Sequence, residues 1–334
     1  METLKNILLN KISCKSTWFM RQAGRYLPEF RKIRSKNPDF IKLCLNSELS
    51  SEITLQPIKR YDLDSAIIFS DILIVPYALG QKIFFDKNTG PRLSEFDTNI
   101  FFKNNEEDFS KRLEPVYEAI KITRKKLNKN KSLISFIGAP WTLLIYMFNF
   151  KKNKKEINIK KLNNESLKLN KVLDQLSKYL CLHIRNQIDA GADVVQIFDS
   201  WAGLIPLNKL KEYCFDQNAK IVQFCKKKNI PNICFPKGIK EHYKDFNKIV
   251  QPNGINIDYE VDPHWAKENL KNVVIQGGLD PKFLLKSEAE MYEGATKYIK
   301  AFKDLPYVFN LGHGLLPETD PDRVEKLIKF YRNF

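Results

Sequence analysis

The chain has no Cys-x-x-Cys pair, no phosphate-cradling glycine fingerprint and no apolar run near the roughly 20 residues needed to cross a bilayer. Each gap removes a class. Without paired thiols the six cysteines (Cys14, Cys44, Cys181, Cys214, Cys225, Cys234) read as free, and no signal peptide precedes them, so the expectation is a reducing compartment, the cytoplasm. The opening stretch to Ser13 is amphipathic but too short and polar to span, which predicts no membrane partner. No recognition motif or glycine-aromatic platform accompanies basic blocks such as Lys151-Lys152-Asn153-Lys154-Lys155 and Lys226-Lys227-Lys228. They read as a solvated face, and no nucleic-acid partner is expected. No set of His, Cys and acidic residues shows metal-ligand spacing, so no metal is expected.

What the chain does carry is apolar and aromatic material. Of 334 residues, 43% are hydrophobic, including 23 Phe and 13 Tyr, enough to bury a large core and to exclude disorder. The net charge of +16 gives a diffuse field that attracts small polyanions.

Short β-branched and aromatic runs recur at 17–20, 66–69, 133–137, 194–198, 232–235, 254–257, 273–276 and 307–310. Between them lie longer segments of helical periodicity. In 163–190, for example, Leu169, Val172, Leu173, Leu176, Leu180 and Ile184 follow three-and-four spacing. Eight strands alternating with helices predict an α/β fold, a (β/α)8 TIM barrel. A doubly wound open sheet is the rival, but it wants the missing glycine fingerprint. Residues 28–62 read as several short helices, Pro76 to Gly90 as a hairpin excursion, and 150–163 as a lysine-asparagine insertion. None divides the chain, and a single domain over 1–334 is expected.

In such a barrel the chemistry sits where strands end. The first run delivers Arg21-Gln22-Ala23-Gly24-Arg25, the second Ser70-Asp71, the third Gly138-Ala139-Pro140-Trp141 and the fourth Asp199-Ser200-Trp201. The fifth ends in Pro236-Lys237-Gly238, the seventh in Gln276-Gly277-Gly278 and the eighth in Asn310-Leu311-Gly312-His313-Gly314. Two arginines on a glycine-containing loop suit a ligand with several carboxylates, because a guanidinium fork offers two parallel donors and keeps its charge. The competing reading is surface arginines paired with nearby acids. Asp71 on top of a core strand is costly unless cations or donors meet it, and His313 between two glycines is a candidate for lining the site.

The run Trp18-Phe19-Met20-Arg21-Gln22-Ala23-Gly24-Arg25-Tyr26-Leu27-Pro28-Glu29-Phe30 closely resembles the signature of the uroporphyrinogen decarboxylase family. Ile68-Phe69-Ser70-Asp71-Ile72-Leu73, Gly138-Ala139-Pro140-Trp141-Thr142-Leu143, Phe198-Asp199-Ser200-Trp201-Ala202-Gly203 and Phe309-Asn310-Leu311-Gly312-His313-Gly314 resemble its other motifs, in its order. The resemblance implies a cofactor-free homodimer of distorted barrels. It also implies decarboxylation of the four acetates of uroporphyrinogen III to methyl groups, yielding coproporphyrinogen III. Substrate contacts are implied for Arg21, Gln22, Ala23, Gly24, Arg25, Asp71, Tyr146, Ser200 and His313. A catalytic part is implied for Asp71, Arg21, Tyr146 and His313, with Asp71 stabilising a cationic pyrrole. The proton donor stays open among Arg21, Tyr146, His313 and a water held by Asp71. Two departures from the family's pattern are Phe148-Asn149-Phe150, where a short apolar residue, Glu and Gly are usual, and Gly278, where asparagine is expected. The alternatives are a zinc-dependent corrinoid or thiol methyltransferase, which would need a His-x-Cys motif and a cysteine near the C-terminus, and a non-catalytic RNA- or porphyrin-binding protein. The chain has no cysteine after Cys234.

Overall fold

The computed structural model describes residues 2–86, 90–151, 153, 156–164 and 166–334. Ten strands occur among them: β1 Ser16–Thr17, β2 Ser65–Ile67, β3 Ile83–Asp86, β4 Gly90–Leu93, β5 Ser132–Gly138, β6 Val194–Asp199, β7 Asn232–Pro236, β8 Gly254–Ile257, β9 Val274–Gly277 and β10 Tyr307–Phe309. Eight of them pair in parallel in the order β1-β10-β9-β8-β7-β6-β5-β2, with helices in the connections, as the alternation predicts.

No ladder joins β1 to β2, and side chains close that seam instead. Asp64 donates its backbone N–H to Thr17 O at 3.0 Å, while its carboxylate accepts the Thr17 N–H at 2.6 Å. Gln22 spans the same gap: its Oε1 accepts from Phe19 N at 3.0 Å and its Nε2 donates to Ser65 O at 3.0 Å. Arg332 grips Asp64 at 2.8 Å, and Tyr331 stacks on Phe309 at 4.5 Å, fastening the helix Pro321–Asn333 against the seam. This missing ladder is the barrel's distortion.

Only Thr17 of the first run, expected over 17–20, joins the sheet, paired there with Ser16, because Phe19 N and Met20 N bond to the side chains of Gln22 and Asn310 rather than to a strand. The interior is packed by Trp18, Ile67, Ile134, Val194, Ile233, Val274 and Val308, against which the helix Leu4–Asn10 sets Leu4, Ile7 and Leu8. The amphipathic opening is thus a plug. Amid this apolar filling lies one polar chain: Trp18 Nε1 donates to Gln276 Oε1 (2.9 Å), and Gln276 Nε2 donates to Gln196 (3.1 Å) and Asn256 (2.8 Å).

The short helices Pro28–Lys36, Phe40–Cys44 and Ser47–Arg60 occupy the stretch expected to hold them. The hairpin is displaced from its expected bounds. Pro76 belongs to the helix Ile74–Ala78, whose Ile74, Val75 and Ala78 are buried, and the second arm continues past Gly90 to Leu93. Lys152, Lys154 and Lys155 of the basic block lie outside the described residues.

Candidate active site

Arg21 opens the loop after β1 with φ +61°, a left-handed conformation that costs a non-glycine residue on the order of 1–2 kcal/mol. The loop imposes it. Gln22 donates its N–H to Phe19 O (2.9 Å), accepts the Tyr26 hydroxyl on its carbonyl (2.8 Å) and commits both ends of its side chain to the seam, so every polar group of this buried residue is engaged within the protein. Two glycines make room for Arg21. A β-carbon on Gly24 would lie 2.9 Å from Arg21 O, and one on Gly314 would lie 2.4 Å from Arg21 Cδ. Leu315 N donates to Met20 O at 2.9 Å, tying the loop after β10 to the loop after β1.

Neither Arg21 nor Arg25 forms an ion pair with a carboxylate among the described residues, which weighs against the surface-pairing reading. Arg21 remains reachable by solvent, yet the walls around it desolvate it. That burial and the neighbouring charge of Arg25 lower its pKa, against the opposing pull of Asp71 and Tyr146.

Asp71 follows β2, across the seam from Arg21, and its Oδ1 accepts the Leu73 N–H at 2.8 Å. Burial pushes its carboxyl up to about 6, against the Leu73 hydrogen bond and Arg21, which both favour the charged form. Arg21, not Arg25, is the cation that acts on it. With its carboxyl raised to about 6, Asp71 is mostly ionised at neutral pH.

Tyr146 lies on the helix Pro140–Met147, half-buried, its phenol raised by burial and by Asp71 while Arg21 opposes. Its ring meets Trp201 edge-on at 6.1 Å. His313 accepts the Gly314 N–H on Nδ1 at 2.8 Å, which leaves the ring proton on Nε2. Burial, Arg21 and Lys237 depress its pKa to about 4, so it is a neutral donor at physiological pH rather than an acid. Ser200 is half-buried at the end of β6, and Ala23 packs partly against the core.

A further buried carboxylate, Asp199, stands in a sequence motif but has no role in the sequence reading. Asp199, at the end of β6, accepts from Thr142 Oγ1 at 2.7 Å and from Asn218 Nδ2 at 3.0 Å, and Thr142 in turn accepts the Trp201 N–H at 3.2 Å. It thereby fixes the helix of Tyr146 to the segment holding Ser200 and Trp201. Burial raises its carboxyl to about 6 as well. The available signal was its position just after an apolar run, as for Asp71.

The two departures also acquire reasons. Phe148 stacks on Phe96 (4.3 Å) and Phe150 (5.3 Å), and Asn149, at φ +51°, donates to Leu93 O, so this segment braces the β3–β4 hairpin. Gly278 has φ +102°, and a β-carbon there would lie 2.3 Å from the Tyr298 ring, which leaves no space for asparagine. Among the described residues no three His, Cys, Asp or Glu side chains are grouped as a metal site requires. None of the helices is long and apolar enough to cross a membrane, again among the described residues. An open groove of about 570 Å³, lined by Glu106, Asp174, Cys181, Arg185 and Lys220 among others, lies between the helices Glu106–Lys126, Ser166–Asp189 and Asp216–Lys227.

Comparison with known proteins places the chain within one family over nearly its whole length. The family model for uroporphyrinogen decarboxylase matches residues 6–334. A uroporphyrinogen decarboxylase of Orientia tsutsugamushi is 41% identical over 322 residues, covering 95% of this chain and 94% of the relative. One from Rickettsia felis is 41% identical (94% and 92% covered), and one from Cereibacter sphaeroides is 36% identical (94% of each). Among solved structures, a methyltransferase from Methanosarcina mazei superposes with a TM-score of 0.73 over 99% of this chain and 97% of its own at 16% identity, a likeness of fold alone. By the match of nearly its whole length, with the arginine loop, Asp71 and His313 assembled at one end of the barrel, the chain belongs to the uroporphyrinogen decarboxylase family.

Proposed function

We propose that the chain converts uroporphyrinogen III to coproporphyrinogen III at the end of the barrel where Arg21, Asp71, Tyr146 and His313 share one electrostatic field. The carboxylates of four acetates leave as carbon dioxide, and no cofactor takes part. Each acetate, once protonation balances the step, becomes a methyl group: a proton adds to the pyrrole, the carboxylate carbon departs as CO2, a second proton reaches the exocyclic carbon and the ring proton is returned. The pyrrole is the electron sink. Protonating it creates a cation, and an ionised Asp71 facing its N–H groups stabilises that charge by roughly 4 kcal/mol at about 4 Å and an effective dielectric near 20.

The observation that carries this reading is the pairing of roles across the β1/β2 seam: a carboxylate raised to about 6 on one side, and on the other arginines with no carboxylate partner among the described residues. Arg21 and Arg25 hold substrate acids. Gln22 acts through the loop it braces, and Ala23 and Gly24 line the approach. Tyr146, Ser200 and neutral His313 supply hydrogen bonds. The depressed pKa of Arg21 favours it as a proton source relative to a free guanidinium.

This reading takes residues 1–334 as one domain, supported by an apolar cluster running from Phe19 to Tyr331, and as a homodimer, on the family resemblance. A cytoplasmic location is supported by six free cysteines. Anaerobic incubation with uroporphyrinogen III, with product carboxyls counted, tests the function. Successive seven-, six-, five- and four-acid species without added metal or cofactor are expected, and an unchanged eight-acid substrate would refute it.

A further inference from the structure

Lys237 follows β7, the strand diametrically opposite β1 in the ring order. Its backbone is locked into the rim: its N–H donates to Asp199 O at 3.1 Å, and its carbonyl accepts from Gly203 N at 2.9 Å, so it sits beside the segment that carries Ser200. Its side chain is half-buried yet has no hydrogen bond or ion pair among the described residues. The carboxylates Asp199 and Asp258, after the neighbouring strands β6 and β8, are engaged elsewhere. Asp199 is held by Thr142 and Asn218, and Asp258 accepts from Gly238 N (2.7 Å), Tyr243 Oη (3.1 Å) and Glu260 N (3.0 Å).

An ammonium on a confined wall without a counter-charge among the described residues suits an acid brought by the ligand. We propose that Lys237 is a further substrate-binding residue, gripping a carboxylate on the rim of the porphyrinogen opposite the one held by Arg21 and Arg25. Its depressing influence on His313, shared with Arg21, places its charge toward the mouth. A disc bearing acids around its edge is then held at two opposed points, which fixes its rotation over Asp71.

This assignment rests on the decarboxylase reading, and the test separates the two. With the full chain under anaerobic conditions, kcat and KM for uroporphyrinogen III are measured for the wild type, Lys237→Gln and Lys237→Arg. In parallel, the affinity for oxidised uroporphyrin, a stable octacarboxylate, is followed by fluorescence at two salt concentrations. Lys237→Gln is expected to raise KM and weaken uroporphyrin binding by about tenfold, with a shallower salt dependence and kcat within about threefold. Lys237→Arg is expected to restore both constants to within about twofold. Wild-type KM and uroporphyrin affinity in Lys237→Gln, or a loss confined to kcat, would overturn the assignment. If the wild type fails to turn over uroporphyrinogen, the decarboxylase reading fails, and the uroporphyrin comparison still judges Lys237. Melting temperatures report folding, and Lys237→Met, which keeps the apolar stem, replaces the Gln variant if that one unfolds.

Discussion

Gly314 leaves the space that the Arg21 side chain fills: a β-carbon on Gly314 would stand 2.4 Å from Arg21 Cδ and 2.7 Å from its Cγ. The two residues lie nearly a chain length apart and meet because β1 and β10 are neighbours in the ring.

Gly314→Ala therefore displaces the guanidinium without unfolding the barrel, since a flexible side chain, not backbone, must yield. A shift near 1 Å at a positioning group costs on the order of 100-fold in turnover. Steady-state kinetics should show kcat/KM down by at least about tenfold, with a melting temperature close to that of the wild type. Undiminished kcat/KM would mean that Arg21 has no positional role.

Asp71→Asn is expected to lower kcat by about 100-fold or more and KM by little, because the lost attraction is to a charge that exists only on the reaction path. The same change should stabilise the fold. The folded carboxyl sits near 6 against an ordinary 3.8, so burying it in charged form destabilises the protein progressively as pH rises through that interval. Denaturant titration should find Asp71→Asn more stable than wild type by up to about 3 kcal/mol near pH 7.5, and equal to it near pH 3.5. A variant that is inactive and also less stable at pH 7.5 would contradict this account.

The pH profile separates Asp71 from His313. Activity should fall as pH drops through about 6, where the Asp71 carboxylate is neutralised, while His313, depressed to about 4, stays neutral across the working range. In kcat/KM profiles the acid limb should persist in His313→Asn. Imidazole resonances of His313 should titrate near 4, and a midpoint near 6.5 would contradict the neutral-donor role.

Gln22→Ala tests the seam. It leaves Phe19 N and Ser65 O without their bridge in a buried place, a loss of about 1–3 kcal/mol for each unsatisfied group. Urea unfolding should show that destabilisation, and kcat should fall with it as the Arg21 loop loosens. If only KM rises at unchanged stability, Gln22 contacts substrate directly instead.

Much of the arrangement was legible along the chain. The eight apolar runs coincide with eight parallel strands because period and length report burial on both faces of a strand. The polar residues after each run lie at one end because parallel strands share direction. Boundaries were less legible at β1, where side chains of Gln22 and Asn310 outcompete the ladder, and at the hairpin, whose first expected residues turn inward as a helix. Asp199 passed without a role because its partners Thr142 and Asn218 are distant in sequence.

Residue order alone determined the alternation of strands and helices and which side chains stand at strand ends, since these depend on local periodicity and on the direction of the chain. Only the closed ring decided that Asp71 faces Arg21 across a seam without a ladder, that Gly314 houses an arginine, and that His313 is neutral. Those properties come from desolvation and from charges on different strands, which no local stretch contains.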